Sequence, residues 1–491
     1  MIYLLMSIHG TDQMSFLYSI SQTVDLANVH TKWSSISNIH KYYVDGPFLV
    51  TKKIPVDDAE PIVEVHSLYD TKTYQKFGLD ILKNTYIVNH ACENANLEFL
   101  DWWLDSGLKL KYDERAIAVA SQNGHLRVLN WWLASGLELK YNCWAINWAS
   151  DHGHIDVLKW FLTSGLEFNY GHWAINWASA NGHIHVLNWW LDSGLVLKYN
   201  SEAIYWACCD KHTNVLDWWL ASGLKLKYDC RAIALASEKG HIHILDWWLA
   251  SGLVLRYDEM AIDLASANGH INVLDWWLNS GLVLRYDCEA INWASKNGHL
   301  HVLNWFLASG LVLKYNSDAI EWASKNGHLY VLNWWLASGL ELKYDSMAIH
   351  LASKYGHLYI LDWFLGSGLE LKYDSDAIEL ASRKCHFNVL NWWLKSGLKI
   401  SYDCAAMDSC MRYHKVQAIE WWIQSGLPLK YTQCPVTWAS KNGHIPILKM
   451  WANAGLPFDS AEKAIELALE HKQVEVLNWW KEMGFDSDPK N

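Results

Sequence analysis

The sequence predicts an all-α solenoid of short helical pairs, and three observations carry that prediction. A glycine recurs every 29 residues, from Gly107 through Gly136 and Gly165 to Gly484, with no insertion or deletion. Between successive glycines the apolar residues fall in two short runs at helical spacing, separated by a Gly-His turn. A unit this small cannot bury a core of its own, so it has to stack on its neighbours. The period places about fourteen copies of one unit along residues 84–491 and leaves 1–83 as a small non-repetitive region of strands and turns.

Residues 287–315, DCEAINWASKNGHLHVLNWFLASGLVLKY, show the order of elements within a unit. Asp287 is the expected N-cap, its carboxylate accepting from orphan amides of the first turn. Most units hold Asp or Asn there, as at Asp113, Asn142, Asn200 and Asp345. A first helix follows through Ala290, Ile291, Trp293 and Ala294, with small residues where a neighbour approaches closely. Gly298 ends it, since glycine takes the left-handed conformation without penalty. A second helix is expected from about Leu300 to Ser309, burying Leu300, Val302 or Leu303, Trp305, Phe306 and Leu307, and Gly310 ends it. Leu311, Leu313 and Tyr315 then lead back to the next cap.

This order of residues resembles the ankyrin repeat. The segment Ala290-Ile291-Asn292-Trp293-Ala294-Ser295 matches the family's first helix, which ends in paired small residues. Gly298-His299, Val302-Leu303, Trp305-Phe306-Leu307 and Gly310 follow the spacing of its second helix. The resemblance covers residues 84–491 and implies an ankyrin-like helix-turn-helix solenoid whose usual work is protein binding. Ankyrin repeats run 33 residues, so the shorter unit implies that the family's hairpin finger is reduced to a short extended turn. The end units replace Gly-His with Ala95-Asn96 and Lys472-Gln473 and are expected to act as caps.

Composition narrows the function. A net charge of −12 argues against a general nucleic-acid binder. No apolar run is long enough to span a bilayer, and the start, MIYLLMSIHGTDQ, lacks the basic flank of a signal peptide. Four of the ten cysteines, Cys143, Cys230, Cys288 and Cys404, share one repeat position and stand too far apart to pair. Reduced thiols, and hence an intracellular, cytoplasmic protein, are expected.

Three ladders of residues invite chemical readings. The Trp-Trp pairs, such as Trp334-Trp335, coincide with core positions and are expected to fill a widened core. The histidines that follow the turn glycine, His299 and His328 among them, recur once per unit. Packed helices lie about 8–10 Å apart, so these rings cannot share an ion at the ~2.0–2.1 Å a metal requires. They are expected to hydrogen-bond between repeats, and no metal or cofactor is expected. The Lys-Tyr pairs, such as Lys343-Tyr344, read as solvated lysines over packed tyrosines, with Asp101, Asp217, Asp246, Asp275 and Asp362 as acidic partners. No phosphate loop, CxxC pair or nucleophile elbow is present, so no catalytic residues are assigned.

Variation between units marks the candidate site. The positions of residues 115 and 118 lie on one face of the first helix and vary while the core columns do not, so this face is expected to be exposed. In the C-terminal half it carries salt bridges, Glu321 with Lys325, Glu379 with Arg383 and Asp408 with Arg412. The N-terminal half instead presents Arg115, Trp144, Asn147, Trp173, Asn176, Tyr205 and Arg231, rich in the residue types that dominate interface hot spots. The sequence thus points to a monomeric, non-catalytic scaffold that binds a protein partner through its first helices, with no nucleic acid or membrane involved. The alternatives are an array recruiting substrates for an active or adaptor domain in 1–83, and a purely structural array.

Overall fold

The computed structural model describes residues 2–7, 34–35, 48–54, 62–77, 80–84 and 86–485. The N-terminal strands Ile2–Ser7 (β1), Ser34–Ser35 (β2), Phe48–Ile54 (β3) and Ile62–Ser67 (β4) form one antiparallel sheet in the order β2-β1-β3-β4. Val50 pairs with Val65 across β3 and β4; residues 55–61 between these strands lie outside the described residues. From Ile87 onward the chain is a series of helical hairpins, and their connectors carry no strand among the described residues.

Two compact units divide the chain, one of Met1–Ala232 with Asp246–Leu255 and one of Ile233–Leu245 with Arg256–Asn491. In the first, the first helices stack in sequence order: Ile87–Glu93, Arg115–Gln122, Cys143–Asp151, Trp173–Ala180 and Glu202–Cys209. In the second, the stack runs through Met260–Ala267, Glu289–Lys296, Asp318–Lys325, Ser346–Tyr355, Asp376–Arg383 and Cys404–Arg412. The second helices, such as Leu300–Ala308 and Leu329–Ala337, pack on one another in the same way.

Local chemistry explains each boundary. Asp345 caps its helix by accepting from the backbone N–H of Met347 at 2.7 Å. Gly298 and Gly310 both have left-handed backbone, with φ +76° and +73°. In the end units Ala95 and Lys472 take the same conformation, at φ +52° and +54°. Ala290, Ile291, Ala294, Val302, Leu303 and Phe306 are buried. Leu307, expected in the core, is 43% exposed. Its equivalents Leu133, Leu162, Leu191 and Leu220 are exposed to a similar degree, because nothing among the described residues covers the outer side of the second helices.

The aromatic ladders are inter-repeat joints. Trp335 is buried, and its indole N–H donates to Ser295 Oγ of the preceding unit at 3.1 Å. Trp334 is only half-buried, and its indole donates to Asn304 Oδ1 at 2.7 Å. This corrects the role expected for the aspartates of that column: Asp101, Asp217, Asp275 and Asp362 accept from Trp131, Trp247, Trp305 and Trp392. The lysines sit over tyrosines instead, as Lys343 Nζ does 4.7 Å from the centre of the Tyr315 ring. Tyr315 in turn donates its hydroxyl to the Glu341 carbonyl at 3.0 Å.

Histidine Nε2 atoms reach carbonyls of the preceding unit, His125 to Glu93 at 2.9 Å and His357 to Lys325 at 2.9 Å. Burial holds His299, His328 and His386 below the ordinary imidazole value, so these rings stay neutral and keep one nitrogen as donor.

Candidate interaction face of the first helices

The face at residue 115 and its equivalents is laid out at the start of each first helix, where the cap residue aims the side chain outward. Asn142 accepts from the backbone N–H of Trp144 at 3.0 Å, and the Trp144 side chain then stands 39% exposed. It lies against Trp177 of the next unit, ring centres 5.7 Å apart and planes inclined by 22°, and against Trp148 of its own helix at 5.8 Å. Trp177 contacts Trp173 at 5.1 Å, and Trp173 contacts His172 at 4.8 Å. Four indoles and an imidazole thus form one continuous run over two adjacent first helices, and the half-buried members fix the exposed one.

Tyr205 and Arg231 form a second group. Tyr205 packs edge-on against Trp206 at 4.9 Å, and the Arg231 guanidinium lies 5.4 Å from the centre of its ring. Arg231 also bridges Asp229 at 2.9 Å and Glu202 at 3.1 Å. Hydrogen bonds from that guanidinium hold the Asp229 carboxyl below its usual range. Arg231 is exposed while Tyr205, Glu202 and Asp229 are half-buried, so the net ion-pair energy of the group is small. Arg115 is exposed with its guanidinium 5.8 Å from the Tyr86 ring centre.

Asn147 and Asn176 do not belong to this face. Both are fully buried between adjacent first helices. Asn176 donates from Nδ2 to Asn200 Oδ1 at 2.7 Å, and its own Oδ1 accepts from the Asn200 backbone N–H. Asn292 repeats the arrangement with Asn316. At its Asn members the column at 118 therefore holds the N-cap residue of the next unit, 24 positions on, whereas Tyr205 of the same column is half-buried against Trp206. Its variation reflects the pairing: Asp408 accepts from the Thr432 backbone N–H at 2.9 Å, while buried Asp263 faces Asp287. Burial, then the Asp287 charge, pushes the Asp263 carboxyl up to about 8.

Of the three salt bridges expected in the C-terminal half, that of Arg383 with Glu379 is present, at 3.9 Å, and the other two residue pairs are engaged differently. Glu321 is buried and Lys325 lies over Tyr355 instead, 5.5 Å from the ring centre. Asp408 is taken up by Thr432 rather than Arg412.

One joint in this column is incomplete. Asn147 Oδ1 accepts from Gly171 N–H at 3.3 Å, but its buried Nδ2 has no partner, because Gly171 stands where other units carry a capping side chain. A Cβ at Gly171 meets only Asn147 Nδ2, at an ordinary 3.8 Å. Gly171→Asn is therefore expected to stabilise the protein by about 1–2 kcal/mol, supplying both a cap and the missing acceptor. Denaturant unfolding of the variant checks this, and a lowered midpoint would show that the amide is satisfied in another way.

No family model matches the chain. An uncharacterized protein of Acanthamoeba polyphaga mimivirus is 41% identical over 98 residues, covering 17% of this chain and 31% of that protein. The chain thus spans about a third of the length of that relative. Among solved structures, the human ASB11 ankyrin repeat domain is similar with a TM-score of 0.32 and 17% sequence identity, over 40% of this chain and 98% of that domain. The repeated helical hairpins described above are themselves consistent with ankyrin-like repeats.

Proposed function

We propose that this chain is a non-catalytic scaffold that binds a protein partner through the first-helix face of residues 115–231. The observation that carries this reading is the run of indoles ending in exposed Trp144. Large aromatics held rigid at a surface lose little conformational entropy on binding, and with arginine they dominate interface hot spots. Arg115, Trp144, Trp173, Tyr205 and Arg231 are the contact residues of this reading; Asn147 and Asn176 support the helices from below.

The chemistry of the cysteines agrees with a binding role inside the cell. All ten are free, as a reducing compartment favours. Burial pushes Cys92 and Cys208 up to about 12, which leaves these thiols unreactive. Among the described residues no helix is long and apolar enough to cross a membrane.

The test is affinity capture with the full chain and with pieces 84–491 and 1–83, the folding of each piece checked by melting. Retention of the captured protein by 84–491 supports the array as the binding element. A partner carried wholly by 1–83 contradicts it and favours an N-terminal adaptor or active domain.

A further inference from the structure

We propose that His350, Asp374 and Asp376 form a binding site for one first-row divalent transition ion, zinc foremost, that joins two adjacent repeats. His350 lies on the helix Ser346–Tyr355, while Asp374 and Asp376 open the helix Asp376–Arg383 of the next unit. One ligand atom from each lies within 4.8 Å of the other two. His350 occupies the column in which Asn176 and Asn292 donate to the next cap, but it does something different there.

The imidazole is buried, 2% exposed. Its Nε2 stands 2.9 Å from Asp374 Oδ1, yet this nitrogen has no hydrogen-bond partner. The carboxylate oxygen is close enough for an ion pair but out of line with the ring N–H direction. Donor atoms crowded together without bonding one another are the arrangement of a ligand set around an ion. Ligands held at about 2.0–2.1 Å from zinc are separated by about 3.3 Å in a tetrahedron and about 2.9 Å at right angles. The 2.9 Å observed falls at the lower value.

Asp374 is pre-positioned, because its Oδ1 accepts from the Asp376 backbone N–H at 2.9 Å. Both carboxylates are exposed, which leaves room for water or a partner's group to complete the coordination. One imidazole with two carboxylates suits zinc and its first-row neighbours better than magnesium or calcium, which take oxygen ligands alone. The spacing that excludes a metal from the histidine ladder does not apply here, since His350 stands outside that ladder and its partners come from the next cap.

A purely structural histidine, donating to Asp374 as asparagine does elsewhere, is the competing account. Zinc titration of the full-length chain by calorimetry, with His350→Asn and Asp376→Ala in parallel, separates the two. His350→Asn keeps the amide donor of the column and so preserves the fold, which melting confirms. The wild type is expected to bind one more equivalent of zinc than His350→Asn, and Asp376→Ala to weaken that equivalent at least tenfold. Equal stoichiometry in wild type and His350→Asn, or unchanged affinity in Asp376→Ala, would overturn the site.

Discussion

Trp335→Ala is expected to cost about 3–5 kcal/mol of stability, the range for deleting a fully buried large aromatic side chain. The ring is enclosed, lies 4.7 Å from the Tyr315 ring, and donates to Ser295 in the preceding unit. Its loss therefore opens a cavity, strips two repeats of a shared contact, and leaves a buried hydroxyl without its donor. Trp334→Ala is expected to cost only about 1–2 kcal/mol, because that ring is half-exposed and loses one hydrogen bond to Asn304. Phenylalanine already occupies the column of Trp335 at Phe161, Phe306 and Phe364, where the ring gap to the ladder tyrosine widens to 5.8 Å. Trp335→Phe should accordingly retain most of the stability. Urea unfolding of the three variants is the measurement, and equal losses in Trp334→Ala and Trp335→Ala would contradict the division of each pair into an inner and an outer ring.

Gly356→Ala is expected to cost about 2–3 kcal/mol, against about 1 kcal/mol for Gly368→Ala. The two glycines have nearly the same backbone, φ +78° and +77°, so the strain of a side chain in the left-handed region is common to both. They differ in what a Cβ would meet. At Gly368 there is nothing within 4 Å, whereas at Gly356 the atom would lie 2.8 Å from His386 Nδ1. That ring is tied to the Lys354 carbonyl and cannot withdraw without losing the joint. Lys211 and Cys385 show that the row tolerates a side chain inside the array, at φ +66° and +58° against +70° to +80° for the row's glycines. The cost is therefore a strained joint rather than failure to fold. Indistinguishable melting of the two variants would show that the histidine row is not a packed contact.

The repeat, the order of its elements and its caps were legible because each rests on a local requirement: a left-handed glycine, a capping carboxylate, an apolar face. The burial of the 118 column was not legible from those signals. Variation at Asn147 and Asn176 reads as exposure when columns are taken singly. In the folded chain each such residue has only to match one cap, 24 positions on, so it is free to change whenever its partner changes with it. The pairs Asn176–Asn200, Asp263–Asp287 and Asp408–Thr432 carry that signal, and a search at 24-residue spacing would have found it. Leu307 and its equivalents misled for the opposite reason. Helical spacing aligns them with the core residue Leu303, but spacing does not reveal whether a second layer lies outside.

Trp144 and Trp173 were legible as a candidate face, though not as a single stack with Trp148 and Trp177, since that depends on the rotation of one repeat against the next. The most direct test of the binding face is the affinity of a captured partner for Trp144→Ala/Trp173→Ala, measured beside the unfolding midpoint of the same variant. A loss of at least about 2 kcal/mol, roughly thirtyfold in Kd, with the midpoint nearly unchanged, is the predicted result. Unchanged affinity, or a midpoint lowered as far as in Trp335→Ala, would contradict it and return these indoles to the core.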